Sequence, residues 1–347
     1  MQMSKKESSG YPLIILGIAV LTLLVVWVGW EEVRQVIIRI HPATFLLLVL
    51  LQLITLFLTG YMWYFLIKKC CGDASLGAVL GVHLAGKFVE YVTPSVKLGG
   101  ETAKVYLMRR KTSLPYQQLT AISVTSKFFS LLPFALISLV VVVYAFLAWD
   151  FPGYLYLAFA GLLFMLLLFG AFLKMDKISH FFRSRAGKEE GRKKSSDSAF
   201  PRSWPVLLAM TLKNGAGKAA GFLQESSQYS RGLTGLSDRW FLFFLGFLVW
   251  FLYPVKVYLI TDMLGFTPGL IVIVVATFTA YIVSMIPVLP GGLGTFEGTM
   301  TLVFTYAGLS AAEGLTIALV TQLVSFWIPL FISAGVSMLA VYRREIF

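Results

Sequence analysis

The chain has 347 residues, of which 58% are hydrophobic and only 13% are charged. Ordinary soluble domains carry about 25% charged residues, so this composition excludes the soluble globular class and predicts an all-α polytopic membrane protein. The formal net charge of +12 points to contact with anionic lipid headgroups at the membrane surface.

Long runs without charged residues, two of them interrupted by a single lysine, predict about eight transmembrane helices. These runs occupy residues 12–30, 43–67, 112–149, 151–173, 240–261, 263–296, 298–312 and 314–342. The seventh run is short, because a crossing helix needs about 20 residues. The first run is too long for a cleaved signal peptide and ends without a small-residue cleavage site.

Basic residues cluster at 5–6, 68–111, 174–239 and 343–344. The positive-inside rule therefore predicts that both termini lie in the cytoplasm and that the protein resides in the cell (plasma) membrane. Nucleic-acid binding is not predicted, because the basic residues flank the spans and no nucleic-acid-binding motif accompanies them.

The first polar interruption begins with an uncharged stretch, 74–86, that is too short to cross the membrane and has basic residues on both sides. Such a stretch predicts a re-entrant or interfacial segment near 74–101. Pro94 would break a helix here, and Gly99-Gly100 permits close backbone approach. An ordinary loop at the cytoplasmic surface is the alternative.

Charged residues accompany this break at helical spacing: Lys87, Glu90, Lys97, Glu101, Lys104 and Arg109. Lys87 and Glu90 are three positions apart and can pair on one helical face. Lys97, Glu101 and Lys104 share a face if one helix includes them all. Arg109 marks the headgroup level.

Two lysines lie inside apolar runs. Lys127 lies far into the third run, and a charge at the bilayer centre costs about 2.5–3.5 kcal/mol on insertion scales. Pairing with Glu90, Glu101 or Glu297 would offset that cost, and the alternative is that its side chain reaches the cytoplasmic surface. Lys256 is expected to reach the outer surface in the same way.

The middle of the chain is polar. Residues 183–198 are charged and Ser-rich, which predicts a flexible linker, and 203–223 mixes apolar and basic residues as an interfacial helix does. A solvated linker throughout is the alternative. The chain therefore divides into a first transmembrane half (1–173), a basic cytoplasmic linker (174–238) and a second half (239–347).

The second half has its own broken segment near 284–300, marked by Pro287, Pro290, Gly291, Gly292, Gly294 and Glu297. Both breaks contain a proline, paired glycines and a glutamate, which predicts a two-half pseudo-repeat. Segments broken by Gly and Pro at corresponding places of two halves are typical of transporter binding sites. A pair of surface loops is the alternative.

The sequence offers little for catalysis. His41, His83 and His180 are scattered, and there is no HExxH, CxxC, Walker-type or nucleophile-elbow motif. We therefore predict no enzyme activity, no metal and no cofactor. Cys70 and Cys71 are expected to be reduced thiols.

Two stretches carry a family resemblance, TPSVKLGGETAKVYLMRR at 93–110 and IPVLPGGLGTFEG at 286–298. They resemble the motifs of the transmembrane region of lysylphosphatidylglycerol synthase/flippase proteins and of standalone flippase-like relatives. By position, the resemblance implies roles for Glu101, Lys104, Arg109, Gly291, Gly292, Gly294 and Glu297. Many relatives carry an acidic residue and an arginine where this chain has Ser126-Lys127. No synthase-like domain follows Phe347, so lipid lysylation is not predicted.

The resemblance implies translocation of a lipid or lipid-linked glycan with a phosphorylated headgroup. Lysines would neutralise the phosphate, glutamates would pair with lysines or headgroup amines, and glycines would shape the site: Lys87, Glu90, Lys97, Gly99, Gly100, Glu101, Lys104, Arg109, Lys127, Gly291, Gly292, Gly294 and Glu297. Membrane lipids with anionic headgroups are the expected partners, and a homo-oligomer is a further candidate. A membrane-embedded enzyme acting on headgroups and a small-solute carrier are the alternatives.

Overall fold

The computed structural model describes residues 41–71, 74–92, 98–148, 160–161, 163–164, 167, 225–226, 228–230, 232–285 and 292–342. The predicted first span, almost all of the predicted fourth span and the predicted flexible linker lie outside the described residues. The same is true of Lys97 and Gly291.

The described residues form helices and no strand. In chain order the helices are α1 (Pro42–Cys71), α2 (Leu76–Val92), α3 (Leu98–Lys111), α4 (Tyr116–Ala148), α5 (Leu236–Met263), α6 (Leu270–Ser284), α7 (Thr295–Tyr306), α8 (Ala311–Gln322) and α9 (Ile328–Tyr342). A π-helical turn, Leu323–Trp327, joins α8 to α9.

Four helical stretches among the described residues are long and apolar enough to cross a membrane: Pro42–Cys70, Tyr116–Tyr144, Leu236–Met263 and Ala311–Leu339. They correspond to α1, α4, α5 and the continuous α8–α9. The prediction of an all-α membrane protein is therefore confirmed.

Charge marks one end of this bundle. Lys68 and Lys69 close α1, and α3 ends in Arg109, Arg110 and Lys111. We call this end the basic end. The other end, where α1 begins and α5 finishes, is called the opposite end. An ion pair of 2.9 Å between Lys69 Nζ and Asp238 Oδ1 places the start of α5 at the basic end, so α1 and α5 run in opposite directions.

The first break is a helical hairpin, α2–α3, that enters from the basic end and returns to it. The hairpin runs into the bundle along α1, because His83 Nε2 lies 3.1 Å from the Thr59 hydroxyl, well inside that helix. Gly86 and Gly100 allow the two limbs to touch: a Cβ at Gly100 would lie 2.6 Å from the Gly86 carbonyl oxygen. The structure thus shows a helical hairpin at the place where the sequence predicts a re-entrant segment.

The second break is also a hairpin, α6–α7, and it enters from the opposite end. α6 begins a few residues after α5 finishes, and α7 returns along it, with the rings of Tyr281 and Phe296 5.0 Å apart near the tip. With 15 and 12 residues the limbs are too short to cross separately. The predicted sixth and seventh spans are thus the two limbs of one hairpin.

In the part of the chain that the structure describes, one order of elements occurs twice, in two orientations. α1, the α2–α3 hairpin and α4 form the first unit, and α5, the α6–α7 hairpin and α8–α9 form the second. The first hairpin enters from the basic end and the second from the opposite end.

The contact between α2 and α3 yields a stability prediction. A Cβ at Gly86 would clash with the Lys104 side chain and lie 2.9 Å from the Gly100 carbonyl oxygen, whereas a Cβ at Gly81 meets nothing within 4 Å. We expect Gly86→Ala to destabilise the protein by about 1–3 kcal/mol through overpacking. Gly81→Ala, on the same helix, should be neutral or gain roughly 0.5–1 kcal/mol from helix propensity. Thermal unfolding of the two purified variants in detergent measures the difference, and equal melting temperatures would contradict the close packing.

Candidate functional site

Lysine and glutamate side chains from three helices form one ion-pair network, which we call the lysine–glutamate cluster. It comprises Lys87, Glu90, Glu101, Lys104 and Lys127. On the hairpin, Lys87 Nζ lies 3.0 Å from Glu90 Oε2, and Lys104 Nζ lies 2.8 Å from Glu101 Oε1. From α4, Lys127 Nζ lies 3.6 Å from both Glu90 Oε1 and Glu101 Oε1. Lys127 therefore joins the two limbs of the hairpin to a spanning helix.

The cluster lies well inside the bundle. At about 1.5 Å of rise per residue, Lys127 is about 16 Å along α4 from its basic end, and Glu101 is about 15 Å from the corresponding end of α3. The Lys104 side chain is 2% exposed and that of Lys127 10%. Of the two expectations for Lys127, the structure shows pairing: the side chain contacts Glu90 and Glu101 and does not reach the surface.

Neutral side chains complete the cluster. The Ser123 hydroxyl donates to Glu101 Oε2 at 2.7 Å, and Lys104 Nζ lies 5.5 Å from the ring centroid of Trp63. These contacts satisfy a carboxylate oxygen and place a ring face toward a buried ammonium group. The sequence could indicate Ser123 as part of this cluster, because it lies at helical spacing from Lys127. No pattern in α1 indicates that Trp63 contacts Lys104.

The charges in the cluster do not cancel. Burial would raise the pKa of Glu101, but the ammonium groups of Lys104 and Lys127 outweigh it and hold that pKa below its ordinary value. Burial and the nearby Lys104 lower the pKa of His83 well below its usual range, which keeps His83 neutral. With three lysines and two glutamates, the cluster carries a formal excess of one positive charge. Such a site suits an anion.

The predicted glycines of the first break act through the backbone. Gly100 brings the start of α3 against α2, where a Cβ would lie 2.7 Å from the Glu90 Cβ. Gly99 lies beside it in the first turn of α3. Because this approach brings the limbs together, Glu90 and Glu101 are both within reach of Lys127.

Arg109 does not belong to the cluster. It lies in the last turn of α3, donates to the Thr112 carbonyl oxygen at 3.3 Å and faces the Tyr116 ring. A cavity of about 490 Å³ at the basic end is likewise separate from the cluster, and it is lined by Lys69, Cys70, Glu225, Gln228, Tyr229, Gly232 and Leu233.

Glu297 is also apart from the lysines. Its Oε2 accepts a hydrogen bond from the Gly294 backbone N–H at 2.7 Å, which caps the start of α7. Gly292 and Gly294 have φ of 71° and 80°, values that favour glycine, and they turn the chain into that helix. Glu297 is fully buried, its Oε1 has no hydrogen-bond partner, and among the described residues it forms no ion pair.

Aromatic rings connect the second break to α4 near Lys127. Tyr253 of α5 lies 5.1 Å, between ring centroids, from Trp250, whose indole N–H donates to the Ser130 carbonyl oxygen about one turn from Lys127. The Tyr253 ring centroid lies 4.7 Å from that of Tyr281, which in turn lies 5.0 Å from Phe296, the residue before Glu297. Edge-on ring contacts therefore connect the tip of α6–α7 to Tyr253, and Tyr253 and Trp250 continue this contact to α4 near Lys127.

A second buried lysine corrects a sequence expectation. Lys256 is 2% exposed and donates to Gln52 of α1, so the prediction that it reaches the outer surface is wrong. The lysine finds a buried oxygen across the α1–α5 contact instead. Polar residues at matching depth in two apolar helices were the only sequence signal for this contact.

Comparisons with known proteins match this chain to membrane proteins. The family model described as the lysylphosphatidylglycerol synthase TM region matches residues 14–333. A UPF0104 membrane protein of Methanothermobacter thermautotrophicus is 23% identical, with 92% of each chain covered. UPF0104 membrane proteins of Pyrococcus horikoshii and Methanocaldococcus jannaschii are 22% and 21% identical, covering 92% and 96% of this chain and 93% and 95% of their own.

The cluster predicts a large stability effect. Glu101→Gln leaves Lys104 and Lys127 short of one negative charge in a buried site, and breaking such a pair costs about 3–5 kcal/mol. Adding Lys104→Met removes one of the stranded charges, so the double variant should lose less than the two single losses summed. Thermal unfolding in detergent measures each variant.

The control for this prediction is Lys69→Met, which removes a half-exposed partner of Asp238 at the basic end. Exposed pairs contribute about 0–1 kcal/mol, so this variant should melt close to the wild type. Glu101→Gln melting as high as Lys69→Met would show that the cluster is not a coupled buried network.

Proposed function

Because the chain belongs to the lysylphosphatidylglycerol synthase transmembrane-region family, we propose that it translocates a lipid with a phosphorylated headgroup across the membrane. The lysine–glutamate cluster is the observation that carries this proposal. It places one excess positive charge inside the bundle, and a phosphate is the membrane anion that such a charge would bind. The acyl or prenyl tail stays in the bilayer, so only the polar headgroup needs a path.

The orientation of the two units supports transport over static binding. Two hairpins that enter from opposite ends can expose one central site alternately to either side if the units rock against each other. The π-helical turn at Leu323–Trp327 lies where Phe326 meets Tyr91 of the first hairpin, with ring centroids 5.1 Å apart. Such turns occur often at functional sites and are suited to a hinge.

The basic end faces the cytoplasm in this proposal, and the protein resides in the cell membrane. The clustering of Lys and Arg at that end is the support, because positively charged segments remain on the cytoplasmic side. The headgroup would enter from the cytoplasmic leaflet, past Arg109 and the other charges of the α3 terminus, and reach Lys127 along the hairpin.

We favour transport over chemistry on the headgroup. Both glutamates of the cluster are ion-paired with lysines, and Glu297 caps its own helix. Lipids and lipid-linked glycans share the phosphate that the cluster would bind, so the two substrate classes are compared in one experiment.

Flux measurements in liposomes test this function. Purified protein is reconstituted with a tail-labelled fluorescent phosphatidylglycerol, phosphatidylcholine or polyprenyl phosphate, and dithionite reports how fast the label reaches the outer leaflet. We expect faster exchange of the anionic lipids than in protein-free liposomes. Lys127→Gln should slow exchange at least about tenfold, since losing a buried charge contact costs about 2–5 kcal/mol.

Lys69→Gln is the matched control, because it removes one positive charge from the basic end without touching the cluster. This variant should translocate at the wild-type rate. Rates equal to those of empty liposomes for every lipid would refute the function. Wild-type rates in Lys127→Gln would refute the role of the cluster.

A further inference from the structure

A second polar site lies between α1 and α5, beside Tyr253 and away from the lysine–glutamate cluster. Lys256 Nζ donates to Gln52 Oε1 and lies 3.5 Å from the Thr55 hydroxyl oxygen. The same ammonium group lies 4.0 Å from the centroid of the Tyr253 ring. Lys256, Gln52 and Thr55 are each at most 2% exposed. We call these three residues the Lys256 site.

The site has one ionisable group, the Lys256 amine, and no carboxylate to balance it when it is protonated. Among the described residues, no Asp or Glu oxygen lies within 4.0 Å of Lys256 Nζ. A side-chain amide, a hydroxyl and a ring face soften the cost of burying an ammonium group, but they supply no negative charge. A buried charge is ordinarily paired, so this site lacks a counter-ion that an anionic ligand would provide.

The two sites lie at different heights in the bundle. At about 1.5 Å per residue, Lys256 is about 10 Å from the end of α5 and Gln52 about 15 Å from the start of α1, both measured from the opposite end. Lys127, by contrast, lies about 16 Å from the basic end of α4. Tyr253 lies between the two sites: its ring faces Lys256, and its neighbour Trp250, 5.1 Å away between ring centroids, donates to the Ser130 carbonyl oxygen, about one turn from Lys127.

We propose that the Lys256 site is a second anion-binding station, which receives the lipid phosphate after it leaves the lysine–glutamate cluster. This inference rests on the proposed function. The ligand class is a phosphate ester carried on a lipid tail. Movement from Lys127 past Tyr253 to Lys256 takes the phosphate from the half of the bundle near the basic end to the other half, so each leaflet has its own cationic station.

The test compares Lys256→Gln with Lys256→Arg in two measurements. In liposomes, we expect Lys256→Gln to exchange fluorescent phosphatidylglycerol at least about tenfold more slowly than the wild type, and Lys256→Arg to recover most of the rate because it keeps the charge. In detergent, phosphatidylglycerol should still raise the melting temperature of Lys256→Gln, because the cluster at Lys127 is intact.

Several outcomes would overturn the station. Wild-type exchange in Lys256→Gln would show that Lys256 only joins α1 to α5, and the proposed function would stand without it. A slow rate in both variants, together with normal melting temperatures, would show that shape and not charge matters at this position.

A final arm separates a lipid phosphate from a free one. Inorganic phosphate is added to detergent-purified wild type, Lys127→Gln and the double variant Lys127→Gln/Lys256→Gln in the absence of added lipid. If phosphate raises the melting temperature of Lys127→Gln but not of the double variant Lys127→Gln/Lys256→Gln, an anion site at Lys256 is established even where no lipid moves. If no protein responds and no lipid is translocated, both the station and the proposed function fail.

Discussion

One contact organises this protein: the ammonium group of Lys127, held 3.6 Å from both Glu90 and Glu101 inside the bundle. Two carboxylates on two short helices would repel each other there, and a lone lysine would carry an unbalanced charge. Together they fasten the re-entrant hairpin to a spanning helix. Because a buried pair is costly to break, the contact fixes the hairpin at one depth. It also leaves a positive charge in excess, and the proposed function depends on that excess.

The inverted order of the two units matters for the proposed function, because the hairpin that carries the charge of the cluster and the second hairpin enter from opposite ends. Each hairpin brings a broken backbone to the interior from its own side, and aromatic rings pack beside both hairpins, Tyr91 against Phe326 and Tyr281 against Tyr253. Contacts between rings can shift when the two units move against each other, because they do not depend on ion pairs like those that hold the first hairpin. A cationic station at Lys256, beyond the rings, would then provide a second binding position for the phosphate.

Local pairings followed from the sequence, and distant ones did not. The pairs Lys87–Glu90 and Glu101–Lys104 are three residues apart, so helical periodicity alone brings them together. Lys256 meets Gln52 across 204 positions of the chain, and no periodicity reveals such a partner. The length of an apolar run also gives the wrong number of spans where a hairpin turns inside the bundle. Both limbs of α6–α7 are apolar, so the sequence predicts them as separate spans. Only packing against α5 and α8 distinguishes the two cases.

Native mass spectrometry of the detergent-purified protein tests the central claim most directly. The excess charge of the cluster predicts that the wild type retains phosphatidylglycerol in preference to phosphatidylcholine when the two lipids are offered in equal amounts. Lys127→Gln should lose that preference, whereas Lys69→Gln should keep it. Equal retention of both lipids by the wild type, or an unchanged preference in Lys127→Gln, would contradict the claim that the cluster binds the lipid phosphate.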